Sequence, residues 1–397
     1  MPKSRVTQRK DGRYAMQIYL GRKPDGGRIY KTVYGQTPKE VENKALEVRL
    51  LLKKGIDVTA ERDTFGYWAD QWKKIKSAET TAKNMVYLNQ CLDKLSDLYD
   101  MSFVKLKPID FQRIFDGLAA GEGVRKPLAK KTLIGIKGVA HQICQLAIVN
   151  RVLDFNPASA IVIPATKPPK KRTALTDEQI QWIIDTPHRA QLPAMIMLFA
   201  GLRRGEVIPL TWDDIDLDNH TISVNKSVVT LNGKCIVKPG AKTEAGVRTI
   251  DIPQILVDFL QKKQKPQELV CPAVNGRMMN DIGWRRMWDS YLTELNLKYG
   301  DFGDSPEERP KSKYDPKGLE MVIPRFTAHC LRHTFATMLY HAGIDVLTAK
   351  EQLGHTDIKT TLGIYTHLDN QFKRKSMDKL DSYIDGKNKD ASQMQVK

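Results

Sequence analysis

Acidic residues are scarce beside basic ones: 46 Asp and Glu stand against 63 Lys and Arg, a formal net charge of +17 over 397 residues. That imbalance points to a polyanionic partner, nucleic acid before others, although ribosome-associated and merely basic proteins share it. Cysteine is also rare. The five, at 91, 144, 235, 271 and 330, are nowhere closer than 36 positions, which excludes zinc-finger spacing and a dense disulfide framework and suggests buried thiols in a reducing compartment. Long hydrophobic runs are missing too. The longest nearly apolar stretch, Leu192 to Leu202, is broken by Pro193 and is too short for a bilayer, and the opening MPKSRVTQRKDGR holds no apolar signal core. The expectation is a cytoplasmic protein with no membrane partner. No Walker loop, HExxH, GxSxG or dinucleotide fingerprint appears, so the commonest ATP-, zinc-, serine- and NAD-dependent chemistries lack their signatures.

The length suggests two or three domains, and 41% hydrophobic residues, 27% charged and a mean hydropathy of −0.42 describe a globular chain. The first domain is expected at 1–60, where 14 Lys and Arg face 6 Asp and Glu. Alternation in RYAMQIYL (13–20) and RIYKTVY (28–34), with turn signals at Asp11-Gly12 and Pro24 to Gly27, predicts a three-stranded antiparallel meander. A helix should follow, with Thr37 as N-cap, Pro38 in its first turn, Glu40 completing a capping box and Gly55 as its stop. The sheet either presents Arg13, Arg22, Lys23 and Arg28 to a DNA groove or carries a solvated basic face.

Helical periodicity runs through 64–156, with segments near 65–76, 80–98, 108–118 and 128–150, predicting an all-α bundle. The last helix should bury Leu133, Ile136, Ala140, Ile143 and Ala147, while Lys126, Lys130, Lys131 and Lys137 track phosphates or remain solvated. Residues 157–172, with Lys170, Lys171 and Arg172 at their end and no acidic residue, read as an extended basic linker, part of a DNA clamp or a plain connection. A mixed α/β domain is expected over 173–385 and a polar tail over 386–397. In that domain TISVNKSVVTL and KCIVK should pair about Asn232-Gly233, with RTIDI (248–252) as a third strand. The polar stretch 299–320 reads as a surface insertion, and Leu380 to Ile384 as a short docking element.

Three segments are rich in Arg and His: AGLRRGE (200–206), TAHCLRHTFAT (327–337) and LGHTDIKTTLGIYTH (353–367). In the second, His329 and Arg332 share a helix face, with Thr327 as N-cap. In the third, Gly354 ends a helix, His355 follows in the turn, and Thr356 or Asp357 caps another helix bearing Tyr365. Singly, each has a structural explanation: solvated arginines, a satisfied core histidine, a half-buried aromatic. Together, in this order and spacing, they resemble the signature of the tyrosine recombinase (phage integrase) family across 173–370. Position by position, the resemblance implies Arg203, Lys242, His329, Arg332, His355 and Tyr365 as catalytic residues, with Glu206 as the acidic residue after the first arginine. Lys242 lies in a KT-x-x-x-x-RTI frame before the third strand, with Lys234 and Lys238 nearby as alternatives. Pro209 departs from the usual aliphatic run and should shorten its helix. The front of the chain is similar to a core-binding domain preceded by an arm-binding domain, as in integrases of conjugative transposons.

The resemblance implies a multidomain α+β protein and a site-specific recombinase. Tyr365 would attack phosphorus, Arg203 and Arg332 would offset phosphate charge, and Lys242 would protonate the leaving 5′-oxygen. His329 would take the phenolic proton and His355 would donate to the phosphate. No cofactor and no metal are implied. The implied partners are double-stranded DNA at core and arm attachment sites, three further copies in a tetramer on DNA, an excisionase and a host DNA-bending protein. A Xer-type resolvase, a type IB topoisomerase and a non-catalytic DNA-binding regulator remain as alternatives.

Overall fold

The computed structural model describes residues 5–22, 25–59, 63–168, 173–231, 233–239, 247–263, 268–302 and 320–365. The chain divides into two compact units, 1–170 and 171–397.

The first unit opens with an antiparallel sheet in the order β1 (Thr7–Gln8), β2 (Tyr14–Arg22), β3 (Arg28–Gly35). Alternation gives it two faces. Met16, Ile18 and Val33 turn inward against Val41, Ala45 and Val48 of α1 (Pro38–Lys53), while Tyr19, Tyr30 and Tyr34 stay 40–44% exposed on the other side. Thr37 caps α1 by accepting from the Glu40 N–H, as expected; the Glu40 carboxylate in turn accepts from the Gln36 N–H instead of that of Thr37.

A separate core belongs to α2 (Phe65–Glu79), α3 (Ala82–Asp93), α4 (Pro108–Ala120) and α5 (Lys130–Val149). The segment expected at 80–98 is shorter than its periodicity suggests: α3 stops at Asp93, and Ser96–Leu98 forms one tighter turn. Helix α5 buries Leu133, Ile136, Val139, Ala140, Ile143, Cys144 and Ala147. Among the described residues it is the one helix long and apolar enough to cross a membrane. Its apolar stripe is instead part of the helical core, as its periodicity predicts. Residues 157–163 are not extended linker: Pro157–Ala160 forms a 3₁₀ turn, Ala158 and Ile161 are buried, and Ile163 packs on the same core. Lys137 is correspondingly not a free cation, because its ammonium donates to the Ser159 and Ile161 carbonyls at 3.2 and 2.6 Å. These bonds satisfy carbonyls that the turn leaves without backbone partners.

The second unit holds α6 (Asp177–Asp185), α7 (Gln191–Phe199), α8 (Arg204–Val207), β4 (Ile215–Asp216), β5 (Thr221–Val224), β6 (Lys226–Leu231), β7 (Lys234–Pro239), β8 (Arg248–Asp251), α9 (Gln254–Lys263), α10 (Asp281–Tyr299), α11 (Ala328–His341), α12 (Val346–Leu353) and α13 (Ile358–Tyr365). The run TISVNKSVVTL is not one hairpin arm. It divides at Asn225: β5 lies between β4 and β8 in one antiparallel sheet, while β6 pairs with β7 in a second. RTIDI therefore joins β5 and not the hairpin. The Asn225 amide donates to Asp214, which also pairs with Lys226 at 2.7 Å, and this buried carboxylate anchors the switch between sheets. Helix α7, apolar after Gln191, is buried except at half-buried Leu192. Cys91, Cys144 and Cys271 are buried, as expected, whereas Cys235 and Cys330 are only half-buried. Most of 299–320, and the docking element Leu380 to Ile384, lie outside the described residues.

Candidate active site

Helix α8 is only one turn long, Pro209 following its end. Arg203 is its N-cap, and the Glu206 carboxylate reaches back to the Arg203 N–H at 2.9 Å and to its guanidinium at 2.8 Å. Gly201 makes this turn feasible. Its φ is +64°, and an added Cβ would lie 2.3 Å from the Phe335 ring, so both backbone and space demand glycine. Its carbonyl accepts from Arg332 on α11 at 2.6 Å.

The last carbonyls of α12 complete the cluster. An α-helix leaves its final C=O groups without intrahelical donors and carries partial negative charge there. In α12 three successive carbonyls accept from three arginines: Gln352 from Arg248 at 3.2 Å, Leu353 from Arg332, and Gly354 from Arg203 at 2.8 Å. Gly354, at φ +60°, ends the helix. His355 comes next and faces these arginines; its Nδ1 lies 2.9 Å from Thr361 Oγ1 on α13.

Charge is concentrated and only partly compensated. Glu206, 5% exposed, is the anion shared by Arg203 and Arg248. Burial pushes its carboxyl up, but the charge and hydrogen bonds of Arg248, then those of Arg203, outweigh that and hold it below the usual carboxylate range. Arg332 is 3% exposed; burial first, then the charge of Arg203, pushes its guanidinium down to about 9, so it stays charged at neutral pH. The resemblance implies Arg332 as a cation that offsets phosphate charge, and the alternative of a solvated surface arginine does not fit its burial. Arg332 is set deep in the site, two of its N–H groups holding backbone carbonyls. Burial, followed by the charges of Arg332, Arg203, Arg248 and His329, depresses His355 to about 4, leaving its imidazole neutral at neutral pH.

Arg203, Glu206, Arg332 and His355 thus meet, with His329 exposed one turn before Arg332 on α11. Thr327 precedes α11 as N-cap but makes no side-chain capping bond. Asp357, and not Thr356, caps the next helix through the Lys359 N–H. Tyr365 is the last residue of α13, its side chain outside the description. Lys242 lies outside the described residues, and its alternatives Lys234 and Lys238 are exposed on β7. Two residues of the site escaped sequence reading. Arg248 stood only as a frame marker in RTI, and fully buried Thr361 had no local signal. Among the described residues no three His, Cys, Asp or Glu side chains cluster as metal ligands would.

Among the described residues, the basic side chains of the first sheet do not form one patch. Arg22 and Arg28 are cross-strand partners at one end of the sheet. Arg13 sits at the other end, paired with Asp11 at 2.7 Å and lying over Tyr34 beside Arg9. Between them, Tyr19 and Tyr30 meet edge to face at 5.7 Å. Exposed Lys130 and Lys131 begin α5. Lys23, Lys170, Lys171 and Arg172 lie outside the described residues.

The sequence model of the phage integrase family matches residues 173–371. A XerC-like tyrosine recombinase of Caldanaerobacter subterraneus is 28% identical over 89% of this chain and 92% of its own length. The ICEBs1 integrase of Bacillus subtilis is 27% identical over 96% and 100%. In fold, the Tn1549 transposon integrase bound to transposon right-end DNA matches with a TM-score of 0.63 at 19% identity, covering 80% of this chain and 99% of that one. A lambda integrase from a tetramer on a Holliday junction matches with a TM-score of 0.52 at 17% identity, covering 90% and 96%.

Proposed function

The chain belongs to the phage integrase family, enzymes that cleave and rejoin DNA, and on that premise we propose that Tyr365, Arg203, Lys242, His329, Arg332 and His355 form the active site of a site-specific recombinase that integrates and excises a mobile element. The observation that carries the assignment is the convergence of Arg203, Arg332 and His355 at the end of α12, where three arginines face one carboxylate. That surplus of positive charge matches the phosphorane transition state, whose non-bridging oxygens carry more negative charge than the phosphodiester.

Tyr365 Oη attacks phosphorus as His329 takes its proton. The bond to the 5′-oxygen breaks, Lys242 supplies a proton to that oxygen, and a 3′-phosphotyrosyl bond remains. A guanidinium carries five N–H donors, and the described hydrogen bonds use two on Arg203 and two on Arg332, so donors remain for the non-bridging oxygens. With Thr361 donating to Nδ1, neutral His355 keeps its proton on Nε2 and donates it to the phosphate. The reverse reaction with another strand's 5′-hydroxyl restores a phosphodiester without ATP, since the covalent link retains its energy. We assign residues 1–60 to arm sites, 64–156 and the catalytic domain to core sites, and the working assembly to a tetramer in the cytoplasm, where the DNA lies; a tetramer on a junction is the state in which the lambda integrase matched here was solved.

The test is a nicked suicide duplex from the element's end, incubated with protein in excess chelator. The wild type should form a covalent adduct and Tyr365→Phe none, with DNA affinity within about threefold, because only the nucleophilic oxygen is lost. An adduct from Tyr365→Phe, or a magnesium requirement for the wild type, would overturn the assignment.

A further inference from the structure

Three guanidiniums around one carboxylate repel one another, so something must keep Arg203 facing the phosphate and not swinging into solvent. Arg203 itself is 41% exposed, while Arg248 is 8% exposed and lies behind it. Arg248 is the first residue of β8, which pairs with β5 through Val224 and so is fixed by the sheet. From there Nη2 and Nη1 contact the two Glu206 carboxylate oxygens at 3.1 and 3.4 Å, and Nε donates to the Gln352 carbonyl at 3.2 Å. The guanidinium also fills the space over Gly354, where an added Cβ would stand 2.8 Å from it. One planar group therefore touches both the carboxylate that orients Arg203 and the helix end that presents His355.

We propose that Arg248 is a positioning residue of the cleavage reaction: braced between Glu206 and the Gln352 carbonyl, it holds Arg203, through their shared carboxylate, in the geometry that receives the scissile phosphate. The inference rests on the recombinase reading above. A fork is needed for this task, since an ammonium is a point charge that cannot span both partners in a fixed plane. Arg248 needs no contact with DNA; its effect passes through Arg203, whose work is to offset charge on a non-bridging oxygen.

That route fixes the test. Covalent adduct formation is followed on two suicide duplexes, one with an ordinary scissile phosphodiester and one with a methylphosphonate, which lacks the charged non-bridging oxygen. Arg248→Ala should slow the reaction on the phosphodiester by about 100-fold, the scale of a misplaced catalytic group, and by less than about tenfold on the methylphosphonate. On the phosphodiester, Arg203→Ala/Arg248→Ala should be no slower than Arg203→Ala, because the two act as one unit. Should Arg248→Ala fail to fold, Arg248→Lys retains a cation beside Glu206 and should show the same substrate-dependent deficit at smaller size. Equal deficits on both duplexes, additive loss in the double variant, or wild-type rates from Arg248→Lys would overturn the proposal. Absence of any adduct from the wild type would instead overturn the recombinase reading.

Discussion

His355 occupies the position where local surroundings change the chemistry of a side chain most. An imidazole with the ordinary value near 6.5 would be partly protonated at neutral pH; burial, with arginine charge behind it, moves this one to about 4. The unfolded chain therefore binds a proton between those values that the folded chain does not, and stability must rise with pH across that window. Stability from neutral His355 is fully present above pH 6.5 and is lost as pH falls towards 4. Urea unfolding of the DNA-free protein across that range should show the loss, and His355→Asn should flatten it. An unchanged slope in that variant would place the titration elsewhere. Thr361 matters at the same scale, since its buried hydroxyl at 2.9 Å from Nδ1 determines which nitrogen faces outward.

Among the elements, the turn from α7 into α8 is tightly constrained. Gly201 combines a left-handed backbone with van der Waals contact to Phe335, and its carbonyl is a partner of Arg332. Gly201→Ala should cost roughly 2–4 kcal/mol, from an unfavourable φ together with overpacking against a buried ring, and should abolish adduct formation because this turn carries Arg203 and its Gly201 carbonyl holds the Arg332 guanidinium. Denaturant midpoints and the suicide-duplex assay measure the two effects. Gly354→Ala should be milder in stability, for the obstructing group there is the end of a long side chain, that of Arg248, and not a ring.

For the whole molecule, three hydrophobic cores, formed by residues 16–58, 65–161 and 175–331, account for most buried apolar side chains. Removing residues 1–60 deletes the first core whole and keeps every residue of the second, together with Asp63, whose carbonyl accepts from the Phe103 N–H. Cleavage of a core-site suicide duplex should persist within about threefold, while recombination between full attachment sites should fall by roughly 100-fold as a second DNA contact is lost. The isolated module should bind arm DNA with affinity that drops steeply with salt. Recombination undiminished by the deletion would remove the arm-binding role.

Short-range pattern was enough for what depends on a few neighbouring residues. The alternation of the first sheet, the Thr37 cap, the buried stripe of α5 and the helix stop at Gly354 were all legible, since each is dictated by local backbone sterics and by periodic burial. The spacing of LRRGE, HCLRH and LGH likewise marked which positions to watch. Tertiary structure alone decided how they meet. Arg203 finds Gly354 across 151 positions, Arg332 finds Gly201 across 131, and Arg248 finds Gln352 across 104. No local rule anticipates such pairs, because orphaned carbonyls at a helix end accept whichever donor the fold delivers. The switch at Asn225 was hidden for the same reason. Its strands read as one continuous run, and the partners that hold the division, Asp214 for Asn225 and Lys226, lie 11 and 12 positions earlier in the chain.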